Sequence, residues 1–277
     1  MFKKLAVAVA FSPTGEAVLA ESLRLKKLFD AEMVLIHIGA QGKADIAQLD
    51  EMLSRVGVSK EEVILRWEDG NPSKKILEIC TDEDVDLLVA GALRKENLFQ
   101  YYIGSVARDI LRKANCSVMV LVSPSSNPQN MDNIVVQCGG GRNPRKSLKA
   151  AVELAKKDQS SIVHLIREIK LYGLSLAVAS EDSEEEYSET RKSLVNEELK
   201  EVQEKLNKLN VGDLRVNIKI TAGKAGHELA KFTRRTNADL LVMQGMGRKL
   251  GLFDRIFRQD LEYIMSDLPS NLLIVHP

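Results

Sequence analysis

The chain predicts an α/β protein, two doubly wound open parallel five-stranded sheets in tandem, and three observations carry that expectation. Short runs that are apolar along their length alternate with runs of helical period, the pattern of strands covered on both faces. The same residues then return: Asp86-Leu87-Leu88-Val89-Ala90-Gly91 is echoed by Asp239-Leu240-Leu241-Val242-Met243-Gln244, Ala31–Ile36 by Ser160–Leu165, and Ser117–Val122 by Ser270–Val275. A repeat of well over a hundred residues is a duplicated domain, too long for a solenoid unit. Between the copies, Ser123-Pro124-Ser125-Ser126-Asn127-Pro128-Gln129-Asn130 is rich in turn formers and poor in apolar residues, as a linker is. The expected domains are residues 1–124 and 131–277.

In the first copy, strands are expected at Leu5–Phe11, Met33–Ile38, Glu62–Trp67, Leu87–Gly91 and Val118–Val122. Helices are expected at Glu16–Phe29, Ile46–Val56, Ser73–Glu83 and Ser105–Ala114. The first helix shows why: Val18, Leu19, Ser22, Leu25 and Leu28 recur at three- and four-residue steps and form one apolar face. Right-handed crossovers between parallel strands then leave a crevice at their carboxyl ends. The second copy differs by 24 extra residues between its second and third strands. They include the acidic run Glu181-Asp182-Ser183-Glu184-Glu185-Glu186, read as a solvated helix entry, and a helix with Leu199, Val202, Leu206 and Leu209 as its packing seam.

Composition narrows the function. Among 277 residues, formal net charge is zero and aromatics are 5%, which argues against the basic, aromatic-laced stripe of a nucleic-acid binder. No run reaches the roughly 18 apolar residues of a membrane span. Met-Phe-Lys-Lys before an apolar stretch imitates a signal peptide, but the second copy has an equivalent strand at Ile134–Cys138 in mid-chain, so a buried first strand and a cytoplasmic protein are expected. Three cysteines (Cys80, Cys116, Cys138) fall at no metal-ligand spacing, and their odd number argues against a disulfide framework.

One loop carries candidate chemistry. After the fourth strand come Gly91-Ala92-Leu93-Arg94, then Lys95 to Ile103, then Gly104-Ser105 at a helix start. Glycine at a strand end admits a close backbone approach, and a helix start offers unpaired amides and a favourable dipole to an anion. The same residues also suit ordinary turn and cap chemistry. Gly91, Gly104 and Ser105, with Asp86–Val89 before them and Val106–Val118 after, resemble the loop of universal stress proteins, Gly-x2-Gly-x9-Gly-[Ser/Thr]. The opening Val-Ala-Phe-Ser-Pro and Glu68-Asp69-Gly70-Asn71-Pro72 resemble that family too, and the resemblance spans the chain twice, as in tandem members.

The resemblance implies sheets of order 3-2-1-4-5, ATP bound by some members between the first and fourth strands, and pairing of two domains through their fifth strands as a pseudo-dimer. Pairing edge strands also removes exposed edges. It implies Gly91, Arg94, Gly104 and Ser105 as the cofactor-binding loop. Two departures stand out. Arg94 replaces the pattern's second glycine, where its side chain either crowds the phosphates or contacts them. Ala10, followed by Phe11, replaces the Asp that reads adenine.

In the second copy the loop reads Gln244-Gly245-Met246-Gly247, then Arg248 to Ile256, then Phe257-Arg258. With Gly-Ser replaced by Phe-Arg, that copy is expected not to bind ATP in the family's manner, and to serve as a structural or regulatory half. Gly140-x4-Arg145-Lys146-Ser147 imitates a P-loop with arginine in place of the required glycine, and is read as a turn into a helix. The histidines His37, His164, His227 and His276 share no helix at metal-ligand spacing. Ser105 has no base at a telling spacing, and Trp67 is read as packing.

The expectation is a stress-response regulatory protein that is not an enzyme, holds ATP in its first copy and answers to an unidentified protein partner, with further homo-oligomerisation left open. An interaction scaffold without nucleotide is the alternative. A slow ATPase is the third reading, for which no residue is placed to position water.

Overall fold

A computed structural model of the chain describes residues 1–94, 101–139, 144–169, 184–222, 225–245 and 252–276. Gly140, Gly141, Met246, Gly247 and residues 181–183 of the acidic run lie outside them, as do the side chains of Arg94, Phe257 and Arg258. The chain divides into two compact units, Met1–Asn130 with Met265–His276, and Met131–Ile264.

The first unit runs β1 (Lys4–Ala8), α1 (Gly15–Phe29), β2 (Glu32–Ile38), α2 (Lys43–Arg55), β3 (Ile64–Glu68), α3 (Pro72–Asp82), β4 (Leu87–Gly91), a small ribbon of β5 (Leu93–Arg94) and β6 (Tyr101–Tyr102), α4 (Ser105–Lys113) and β7 (Ser117–Leu121). Its strands lie in the order β3-β2-β1-β4-β7, all parallel. Burial explains the apolar runs: Leu5, Ala6 and Val7 of β1 and Leu87, Leu88 and Val89 of β4 are wholly enclosed. The first strand ends at Ala8, short of the expected Phe11, because the chain turns there: Ser12 N donates to Ala10 O at 2.8 Å and Gly15 N to Ser12 O at 3.0 Å.

Helix ends follow local chemistry. Asn71 caps α3 by accepting from Lys74 N, with Pro72 in the first turn where a missing N–H costs nothing. Asp30 closes α1 in the left-handed region at φ 53°, its amide returning to the carbonyls of Lys26 and Lys27.

The second unit runs β8 (Asn133–Gln137), α5 (Pro144–Asp158), β9 (Ile162–Ile169), α6 (Glu184–Asn207), β10 (Val216–Ala222), α7 (Ala225–Arg235), β11 (Leu240–Gln244) and α8, which starts at Leu252 and ends at Ser266. Its strands repeat the parallel order, β10-β9-β8-β11. In the place of α2 stands the longer helix α6, and Val202 of its seam is buried. Duplication extends to single hydrogen bonds. Asp86 Oδ2 accepts from Lys3 N at 2.7 Å and Lys4 N at 3.1 Å, and its repeat Asp239 Oδ2 accepts from Asn133 N at 2.8 Å.

The last strand, β12 (Asn271–Val275), lies with the first unit and pairs antiparallel with β7, Leu273 opposite Met119. This is the fifth-strand pairing that the family resemblance implies, and it closes an edge that β7 would otherwise expose.

Candidate functional site

The carboxyl ends of β1 and β4 in the first unit frame the candidate loop. Gly91 is the last residue of β4. A Cβ there would come within 2.9 Å of Val18 Cγ2, so the glycine lets α1 lie close on the strand. Ala92 N then donates to Leu121 O at 2.8 Å, and Leu93–Arg94 pairs antiparallel with Tyr101–Tyr102.

The ribbon is fastened at its base. Leu268 N donates to Tyr101 O and Ile103 N donates to Met265 O, both at 3.0 Å, and Ser123 Oγ hydrogen-bonds the Tyr101 hydroxyl.

Gly104 is the N-cap of α4, in extended backbone, and no side chain caps that end. The amides of the helix's first turn therefore lack intrahelical acceptors and face outward, with Ser105 and Val106 exposed. The Leu93 side chain lies against Gly104: a Cβ on that glycine would be 2.6 Å from Leu93 Cδ1. Thus the fold brings Gly91, the Arg94 backbone, Gly104 and Ser105 into one loop. Leu93 was not marked by the sequence, because an apolar residue in a loop carries no periodic signal. One turn into α4, Asp109 accepts from Ser73 Oγ at 2.8 Å and pairs with Lys113 at 2.7 Å; Lys113 first and Ser73 second hold its carboxyl below the ordinary range. A groove of about 590 Å³ opens beside these residues between α3 and α4, away from the glycine loop, with Leu77 and Thr81 among its walls.

At the other end of the crevice, Ala10 is exposed and presents only a methyl group, so it offers no acceptor to a base. Next to it an aromatic row joins the ends of three strands. Phe11 lies 4.4 Å from the His37 ring and Trp67 lies 4.5 Å from it, centroid to centroid. His37 Nδ1 donates to Val9 O at 3.0 Å, and Trp67 Nε1 donates to Gly39 O at 2.9 Å. Trp67 and His37 are bound into packing and backbone contacts here.

The equivalent region of the second unit is built differently. Gln244 and Gly245 are buried at the end of β11. The sequence places Phe257-Arg258 at a helix opening, but α8 begins at Leu252 and carries both inside it. Beyond the first turn, helix amides are bonded to carbonyls four residues back. The amides that match those of Gly104 and Ser105 are therefore spent within the helix.

Doubly wound parallel sheets, one in each unit, define a tandem α/β protein, with a loop of outward amides at the carboxyl ends of the strands in the first. The chain belongs to the universal stress protein family, whose sequence profile matches residues 39–122 and 130–276. Two relatives come from Methanocaldococcus jannaschii. Universal stress protein MJ0577 is 25% identical over 162 residues, covering 46% of this chain and 98% of that protein. Universal stress protein MJ0531 is 27% identical over 143 residues, covering 45% of this chain and 84% of that protein. Among solved structures, a universal stress protein from Archaeoglobus fulgidus aligns with a TM-score of 0.65 at 17% identity, covering 99% of this chain and 98% of its own. The functionally unknown protein PA1789 from Pseudomonas aeruginosa aligns at 0.69 and 16%, covering 100% and 93%. These alignments establish the tandem fold.

Proposed function

We propose that this chain is a stress-response regulatory protein acting by occupancy and not by turnover, with the phosphates of a nucleotide such as ATP held on Gly91, Gly104 and Ser105 in the first unit. The observation that carries this reading is the side-chain-free N-terminus of α4, set beside the end of β4 with its amides and the Ser105 hydroxyl outward. The second unit takes the regulatory or structural part, because α8 runs through the matching position.

Purified protein, denatured and resolved on a nucleotide-separating column, tests the reading: bound ATP at a stoichiometry near one per chain is expected. Gly104→Asp places a carboxylate against the phosphates and should empty the loop; unchanged occupancy would refute the assignment. A second reading, a protein-interaction scaffold without nucleotide, is favoured by Leu93 lying on Gly104 and by Ala10 at the base-reading position. Complete absence of nucleotide, with no binding of added ATP, would select it.

A further inference from the structure

The second unit contains a row of buried oxygens that neither copy's loop uses. Strand register sets it out. Gln137 at the end of β8 is level with Ile166 of β9, and Glu168, two residues further along β9, is level with Thr221 of β10. Residues level across parallel strands, and those two apart on one strand, share a face, so Gln137, Glu168 and Thr221 share one.

Gln137 is 3% exposed. Its Nε2 donates to Glu168 Oε2 at 3.4 Å, which sets its amide beside the carboxyl group. Three oxygens of the row have no hydrogen-bond partner among the described residues: Gln137 Oε1, Glu168 Oε1 and Thr221 Oγ1. Buried acceptors are rarely left unmatched, because each then carries its desolvation cost alone.

Two further carboxylates bear on the row. Asp260 of α8 and Glu228 of α7 raise the Glu168 pKa beyond what its burial does alone, while Arg167, on the other face of β9, lowers it slightly. Arg167 is committed elsewhere, to Glu198, Glu201 and Cys138 O. Lys219, on the row's own face, has its ammonium 5.4 Å from the Phe232 ring centroid, and no ion pair to Glu168 is formed among the described residues. His227 contacts Glu228 at 3.4 Å. Asp260 Oδ1 accepts from Gly226 N at 3.0 Å, which fixes the acidic side chain at the start of α7.

Unmatched acceptors in a negative setting call for a positively charged guest. We infer that Gln137, Glu168 and Thr221 form a binding site for a small monovalent cation, an alkali-metal ion or ammonium, with Asp260 and Glu228 supplying the surrounding field. Oxygen donors select hard ions. One carboxylate with an amide and a hydroxyl balances a single charge, whereas divalent sites gather several carboxylates. No group of three or more His, Cys, Asp or Glu is placed to hold a metal ion among the described residues, in keeping with that. Proton and cation compete for Glu168, so occupancy falls as the carboxyl protonates below its raised pKa of about 7.

Thermal unfolding of the full chain at pH 8 and constant ionic strength tests this, with potassium, sodium or ammonium chloride compared against tetramethylammonium chloride, whose cation is too large to enter. At least one small cation is expected to raise the melting temperature by roughly 2–4 °C. The gain should shrink at pH 6 and disappear in Glu168→Gln and in Thr221→Val, both of which preserve shape. The inference is overturned by equal melting temperatures in all four salts. It is equally overturned by a gain that survives in both variants, or by stabilisation from magnesium or calcium with none from the monovalent ions.

Discussion

Leu93 lies on Gly104, closely enough that a Cβ on the glycine would sit 2.6 Å from Leu93 Cδ1. The contact joins the β5–β6 ribbon to the start of α4, the two sides of the proposed phosphate loop. Leu93 is 50% exposed, so little core is lost when it is cut back. Leu93→Ala should therefore leave stability within about 0.5 kcal/mol and strengthen nucleotide binding several-fold by uncovering the α4 amides. Titration with a fluorescent ATP analogue measures this. Identical binding curves for variant and wild type would mean that the leucine does not cover the ligand's position.

Gly91 sits under a different constraint, the approach of α1 to β4. Gly91→Ala brings a Cβ to 2.9 Å from Val18 Cγ2, inside normal contact, in a region where Val18 is almost wholly enclosed. Overpacking of this kind costs about 1–3 kcal/mol. Urea unfolding should show that loss in Gly91→Ala, and pairing the change with Val18→Ala should return part of it. A double variant no better than the sum of the two single losses would place the strain elsewhere.

The pairing of β12 with β7 makes a prediction about solubility. Leu272, Leu273 and Ile274 are fully enclosed, and β12 bonds to the edge of β7 along Val118–Val120. A chain ending at Pro269 leaves that edge and its apolar faces unmatched, an invitation to edge-to-edge association. Light scattering after size exclusion should show higher-order species for the truncated chain at concentrations where the full chain shows none. A truncated protein with the full chain's association state would mean that β12 adds little to the unit.

Much of this architecture could be read from residue order because duplication supplies an internal check. Asp86 and Asp239 stand at matched places in the repeat, and each ties the start of a fourth strand to the backbone of a first. The α8 start was not foreseen, although its cause lies in the residues. Glycine disfavours helix interiors, so Gly104 stops α4 at Ser105; Phe257 imposes no such stop, and the helix propagates upstream to Leu252. The antiparallel pairing of β12 with β7 joins residues about 150 apart in the chain, and local periodicity carries no such information. Gln137, Glu168 and Thr221 come from three strands, and only register places them side by side.

That polar row makes the chain's stability depend on pH in a defined direction. The Glu168 pKa is raised from 4.5 to about 7, chiefly by burial and next by Asp260. Between those values the folded chain holds a proton that the unfolded chain has released, so stability declines as pH rises and the full cost is present above about pH 7. At about 1.4 kcal/mol per unit, the whole effect is on the order of 3 kcal/mol. Asp109 and Glu68, held below the ordinary carboxylate range by Lys113 and Arg66 respectively, titrate outside this window and with the opposite sign. Unfolding by urea at pH 5, 6, 7 and 8, in tetramethylammonium buffer so that no small cation offsets the charge, isolates the contribution as the difference between wild type and Glu168→Gln. That difference should move in the variant's favour with each step up to pH 7 and then level off. A constant difference across the series would show that Glu168 ionises in the folded chain as freely as in water, and the row would lose its claim to a buried negative charge.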